Sequence, residues 1–150
     1  PLLNSQGEVI GINTAIINDA QGIGFSIPVN KAKKIIDDLI NYGKVKRPWL
    51  GIYGTKVTKK VVEYYNLQVD NGVMVFRVIM DSPADKAGLD KGDIIVEANH
   101  KEIKDMKDLK KIINQVGINE KLKLLVMSDN GSLNPITVEL EEMPMKDQEK

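Results

Sequence analysis

Cysteine is absent from the chain, which removes disulfides, thiolate metal sites and a cysteine nucleophile and leaves the redox compartment open. Histidine is nearly absent: His100 is the only one. Any catalytic pair that relies on imidazole would have to use it. Neither sign of charge is in excess, with 21 Lys and Arg against 21 Asp and Glu. That balance gives no electrostatic reason to expect nucleic acid or an anionic membrane as partner. No apolar run approaches the roughly 18 residues a membrane helix needs, and no signal-peptide pattern occurs within these residues. No grouping of His, Asp and Glu suggests a metal. Gly22-Ile23-Gly24 lacks the third glycine and the strand–helix context of a dinucleotide site, so no cofactor is expected.

What remains is an ordinary globular composition, 42% hydrophobic and 28% charged over 150 residues, enough for one domain or a small domain with an appended segment. The first residue is Pro1, on the apolar run Pro1-Leu2-Leu3, so the chain reads as part of a longer protein, with any targeting segment expected upstream. Residues 1–28 alternate short apolar runs with turns: Asn4-Ser5-Gln6-Gly7, then Val9 to Asn13, Ala15 to Ile17, a polar loop 18–21, and Gly22 to Ile27 ending at Pro28. Three short strands cannot bury a core by themselves. Ala32, Ile35, Ile36, Leu39 and Ile40 recur at helical spacing from an N-cap at Asn30 to a stop at Gly43. Lys44 to Pro48 reads as a linker.

From Trp49 the pattern becomes mixed. Trp49–Val57 reads as one strand, and Thr58 caps a short helix through Tyr65. Residues 72–80 and 93–98 read as strands, and Leu122–Ser128 pairs with Pro135–Leu140 across Asp129-Asn130-Gly131-Ser132. Asp105 caps a helix whose apolar stripe is Met106, Leu109, Ile112, Ile113 and Val116. Asp37 and Asp38 read as a solvated face, Glu102, Asp105 and Asp108 as surface pairing with nearby lysines, and the tail from Glu141 as frayed.

The densest signal runs from Ser82 to Ile95. Ser82 can cap a helix, Pro83 suits its first position, and small Ala84 and Ala87 permit close approach to a sheet. Gly88 supplies a left-handed end and Leu89 the apolar contact that follows one. Gly92-Asp93 then turns the chain into Ile94-Ile95-Val96. This stretch resembles the signature of bacterial PDZ domains, with Asn99-His100 at the turn where that family has Asn-Gly. The resemblance spans residues 48–142. It implies an α+β fold: a PDZ-like, partly open β-barrel or sandwich with two main helices.

The same resemblance gives Trp49, Leu50, Gly51 and Ile52 the role of a carboxylate-binding loop, whose backbone N–H groups meet the free C-terminus of a peptide. Gly51 fits where close approach tolerates no side chain. The peptide would add as a strand beside residues 50–55. Leu50, Ile52, Tyr53, Leu109, Ile112 and Ile113 would line the groove and the pocket for its last side chain, with Met106 and Val116 left to the core. An aliphatic pocket implies an apolar last residue such as Val, Ala, Leu or Ile.

Residues 1–13 and Gly22 to Pro28 resemble the end of the trypsin-like barrel of HtrA/Deg serine proteases, in which a helix and linker lead into a PDZ domain. The implied layout is 1–29 as the last protease strands, 30–47 as helix and linker, 48–142 as PDZ domain and 143–150 as charged tail. In that family the nucleophile precedes the segment matching Pro1, with its histidine and aspartate further upstream. Nothing in the sequence sets Ser5, Ser26 or Ser82 beside His100, so this chain is expected to be proteolytically inactive. Asn13, Thr14 and Ile16 would line part of the substrate pocket in the intact enzyme. The family further implies an extracytoplasmic setting and a role in protein quality control. Its PDZ domain would recruit substrates or regulate the protease. The competing reading makes that domain a structural module docked on its own protease domain or a neighbouring subunit. Exposed N-terminal strands suggest a dimer through that segment.

Overall fold

The computed structural model describes residues 1–16, 24–58, 62–63, 69–128 and 130–144. Two units are present, Pro1–Lys46 and Arg47–Lys150.

In the first unit, Asn4 makes the opening turn. Its side-chain oxygen accepts from the N–H groups of Gln6 (3.0 Å) and Glu8 (2.9 Å), an arrangement that suits Asn to turns. The turn joins β1 (Leu2–Leu3) to β2 (Val9–Ile16), and β3 (Gly24–Pro28) completes an antiparallel sheet in the order β1-β2-β3. What the sequence suggests as two strands, 9–13 and 15–17, is one continuous β2 with an irregular register between Asn13 and Ala15. Ile17 and the loop 18–21 lie outside the described residues.

Helix α1 (Val29–Tyr42) starts directly after Pro28, with no side-chain cap, so Asn30 is inside the first turn rather than its N-cap. The extended backbone of Pro28 ends β3 and hands the chain straight into the helix, leaving no room for a separate capping residue. Gly43 ends the helix with φ 67°, its N–H bonded to the Leu39 carbonyl at 3.0 Å. Asp38 is half-buried rather than solvated and accepts from the Lys46 N–H. The apolar residues of this unit stay largely at the surface: Leu3, Ile12, Phe25, Ile27 and Leu39 are exposed, and Ile40 is 76% exposed. Three strands and one helix do not enclose them.

The second unit has a true core. Its strands are β4 (Pro48–Trp49), β5 (Ile52–Lys56), β6 (Val73–Val78), β7 (Ile94–Ala98), β8 (Lys101–Glu102), β9 (Lys121–Met127), β10 (Leu133–Glu139) and β11 (Glu141–Glu142). Among the described residues, the helices α2 (Pro83–Lys86) and α3 (Met106–Val116) join them. An open six-stranded sheet runs β10-β9-β7-β6-β5 with β8 beside β7, and β4 pairs separately with β11. The result is an open α+β fold with no closed barrel.

Val73, Val75, Ile95, Leu109, Leu122, Val126, Val138 and Leu140 belong to one buried cluster with Leu50 and Ala84. Pro135 is tolerated within β10 because that strand is a sheet edge. Asp105 caps α3, accepting from the N–H groups of Lys107 (2.8 Å) and Asp108 (3.1 Å). Asp108 and Glu102 bond to uncharged donors, Asp108 to the Lys104 N–H and Glu102 to the Asn71 amide. The chain beyond Glu141 is not simply frayed: Glu141 pairs with Trp49, and the Met143 N–H bonds to the Arg47 carbonyl. Val62–Glu63 are helical, with the Val62 N–H bonded to the Thr58 carbonyl. The remainder of that predicted helix lies outside the described residues.

Candidate functional site

The stretch 82–89 folds as its residue types dictate. The Ser82 hydroxyl accepts from the Asp85 N–H and Pro83 occupies the first helical position. At the other end Gly88 has φ 79°, the Gly88 N–H bonds to the Asp85 carbonyl, and the Leu89 N–H bonds to the Ala84 carbonyl, both at 3.0 Å. This paired closure is the glycine-ended helix stop, and Leu89 is buried behind it. Lys86 on the same helix pairs with Glu141 of β11 at 2.6 Å. The hydrogen bond to Glu141 holds the Lys86 ammonium above its ordinary pKa.

Helix α2 and the turn before it organise the loop between β4 and β5. The sequence reads Trp49–Val57 as one strand, but the chain breaks at Leu50-Gly51. Gly51 adopts φ 88°, and a side chain there would collide with the Cβ and Oγ of Ser82. The Leu50 carbonyl accepts from the Ala84 N–H (2.9 Å), and the Gly51 carbonyl from the Ile79 N–H (2.9 Å) and the Ser82 hydroxyl (3.3 Å).

A trans peptide holds its C=O and its N–H on opposite sides. With the carbonyls of residues 50 and 51 turned toward α2 and Ile79, the N–H groups of Gly51 and Ile52 point the other way. The Ile79–Gly51 bond flanks the pair Ile52↔Val78, so Ile52 turns its own N–H and C=O away from β6. Among the described residues, no carbonyl or side chain accepts from the Leu50 or Gly51 N–H.

Ile52 opens β5, the sheet edge opposite β10. Its partner on one side is β6, and α3 packs nearby. Between them lie the residues expected to line a groove. Leu50 and Leu109 are sealed in the core, Leu109 at 0% exposure, while Ile112 (7%) and Ile113 (8%) come closest to the surface of the buried set. Ile52 is half-buried and Tyr53 is exposed, facing Phe76 at 6.1 Å between ring centroids. Trp49 lies in β4, paired to Glu141, one residue short of the loop and half-buried.

Met106, assigned to the core by periodicity, packs against the core cluster while staying half-buried at the first turn of α3, and its sulfur lies 3.2 Å from where a Gly54 Cβ would be. It therefore also sits over β5. Its place one turn before Leu109 on the same helical face is the signal that could have shown this. The Asp105 carboxyl beneath this helix end is held below its ordinary pKa by the backbone N–H groups of Asp108 and Lys107.

His100 is exposed in the β7–β8 turn with φ 60°, beside Asn99 at φ 47°. The side chain of Asn99 accepts from the Lys123 N–H. Ser26 donates to Asn13 at 2.8 Å and Thr14 to the Phe25 carbonyl at 3.3 Å, so these β2 and β3 residues are engaged with one another. Ile16 ends β2.

Residues 48–140 match the PDZ domain family model. The chain is 40% identical over 147 residues to a probable periplasmic serine endoprotease, DegP-like, of Marinomonas sp. (strain MWYL1), covering 96% of this chain and 31% of that protein. It is 39% identical over 142 residues to the periplasmic pH-dependent serine endoprotease DegQ of Escherichia coli (strain K12), covering 93% of this chain and 30% of that one. Among solved structures it matches the HtrA-type protease AlgW with decapeptide at a TM-score of 0.81 and 33% identity, over 92% of this chain and 43% of that one. The chain thus spans about a third of the length of the curated relatives it matches.

Proposed function

The chain belongs to the PDZ-domain family and is homologous to the HtrA/Deg serine proteases, and from that premise we propose that its Arg47–Lys150 unit captures the free C-terminus of an extended peptide. One observation carries this reading. The N–H groups of Gly51 and Ile52 are turned outward at the start of an open sheet edge, where a carboxylate can accept from both. A peptide entering there adds a strand to β5, and its last side chain meets Ile52, Ile112 and Ile113, which favours an apolar final residue. Met106 and Tyr53 flank the path of the residues before it. The match to an HtrA-type protease solved with a decapeptide supports a groove for extended peptide.

In this reading residues 1–29 are the last strands of a trypsin-like barrel, 30–47 a helix and linker, 48–142 the PDZ domain and 143–150 a tail. The exposed apolar residues of the first unit favour burial against further protein, either a protease domain or a second copy. The triad residues would lie elsewhere in a longer protein, so the chain itself does not hydrolyse peptides. In that protein, peptide capture would recruit substrates or regulate a serine endopeptidase working in protein quality control. The periplasmic relatives support an extracytoplasmic setting.

The test uses the single tryptophan, Trp49, one residue from the proposed carboxylate site. Peptides ending in free Val or Leu are titrated beside C-terminally amidated copies, with NMR shifts of the Gly51 and Ile52 amides as a second readout. A saturable change with the free acid, lost on amidation, is expected; a micromolar constant corresponds to about −8 kcal/mol. Equal binding of acid and amide, or no binding of either, overturns carboxylate capture and favours the docked structural module.

A further inference from the structure

We infer that Ser82 is a positioning residue for the carboxylate loop, holding the Gly51 and Ile52 N–H groups in their outward orientation before any peptide arrives. The inference rests on the carboxylate-capture reading above and adds the device that would make the capture site stiff.

Ser82 is fully buried and polar, and a buried hydroxyl needs partners on both its donor and acceptor sides. It has them in two different segments. As donor it reaches the Gly51 carbonyl at 3.3 Å, and as acceptor it takes the Asp85 N–H at 3.3 Å. The same residue closes the turn behind the loop, its N–H bonded to the Ile79 carbonyl (3.1 Å) and its carbonyl to the Lys86 N–H (2.9 Å). One side chain therefore couples the start of α2 to the peptide plane that carries the Ile52 N–H. By capping α2 it also steadies the helical turn that includes Ala84, whose N–H holds the Leu50 carbonyl and hence the plane carrying the Gly51 N–H.

The contact is mutual. The Ser82 side chain occupies the volume into which any side chain at position 51 would project, so the glycine and the serine are complementary halves of one joint. Two N–H groups held in place beforehand lose less freedom on binding an anion than two that must be ordered by it.

Ser82→Ala removes the hydroxyl while keeping the Cβ packed on Gly51. The readout is the ratio of affinities for free-acid and amidated copies of the same peptide, because general loosening of the domain weakens both alike. The wild-type chain is expected to prefer the acid. In Ser82→Ala the acid is expected to weaken about tenfold, the upper end of the effect of removing one buried hydrogen bond, with the amide unchanged. Val138→Ala, in β10 at the far edge of the sheet, is the control: it lowers stability and leaves the ratio intact.

An unchanged ratio in Ser82→Ala, or an equal loss in Val138→Ala, overturns the positioning role while leaving carboxylate capture standing. No acid preference in the wild-type chain overturns the capture reading itself, and the positioning role with it. If Ser82→Ala does not fold, amide exchange on the wild-type chain reads the bonds that hold the two loop carbonyls. Protection of Ile79 and Ala84 at the level of the β5–β6 ladder without peptide is expected. Exchange at the rate of an open loop at either position overturns the inference.

Discussion

Two glycines with left-handed backbones separate the cost of conformation from the cost of space. Gly51 has φ 88° and Gly88 has φ 79°. A Cβ at Gly88 meets nothing within 4 Å, whereas one at Gly51 collides with the Ser82 side chain. Alanine at either position bears the left-handed penalty of roughly 1–2 kcal/mol, offset in part by the lower entropy of the unfolded alanine chain, roughly 0.4–1 kcal/mol. Gly88→Ala is therefore expected to cost about 1 kcal/mol. Gly51→Ala must also displace a fully buried side chain bonded on both sides. Overpacking of that kind adds about 1–3 kcal/mol, bringing the expected loss to about 2–4 kcal/mol.

Urea titrations of the three chains, followed by Trp49 fluorescence, report the unit that holds both glycines. Peptide titrations on the same samples report the loop. Gly51→Ala is expected to lose free-acid binding by tenfold or more, since relieving the clash must rotate or shift the peptide planes at 50–52. Gly88→Ala is expected to bind as wild type. Equal destabilisation by the two variants would refute the steric argument, and full acid affinity in Gly51→Ala would refute the placement of the site.

The β7–β8 turn carries left-handed backbone at two non-glycine residues, Asn99 and His100. His100→Gly relieves roughly 1–2 kcal/mol of strain against the entropy given to the unfolded chain, and a net gain of about 0.5–1 kcal/mol is expected in denaturant unfolding; a loss would mean that the imidazole makes a stabilising contact. Asp105 titrates lower in the folded chain than in the unfolded one, because backbone N–H groups at the start of α3 favour its charged form. Its contribution is therefore complete above the unfolded carboxylate value of about 4 and is lost as pH falls through the lower folded value. Unfolding measured between neutral and acid pH is expected to show a larger acid-side decline in the wild-type chain than in Asp105→Asn, which keeps a capping oxygen without the charge; identical profiles would contradict that sign.

The elements set by local chemistry were legible in the sequence. Ser82, Pro83, Gly88 and Leu89 each have one mechanical use at a short helix, and the structure puts each to that use. Asp105 before an apolar stripe, Gly43 after one and Gly131 between two β runs are likewise decided within a few residues of chain. The PDZ family and its α+β fold follow from such signals because they lie at fixed short spacings. Residue pattern alone did not place the break at Leu50-Gly51: the run from Trp49 reads as strand, and only the family resemblance read residues 49–52 as a loop.

Tertiary structure made that break, by bringing the N–H groups of Ile79 and Ala84, some thirty residues away, onto the carbonyls of Gly51 and Leu50. It also decided how far each apolar side chain of α3 is covered. Helical period alone places Met106 and Leu109 on one face. Only the packing of the whole unit leaves Met106 half-buried and seals Leu109 in the core cluster. The pairing of Glu141 with Trp49 drew a charged segment into a sheet for the same reason. Periodicity tells which residues share a face, and hydrogen bonds between distant segments determine which face is covered and where two N–H groups are left pointing outward.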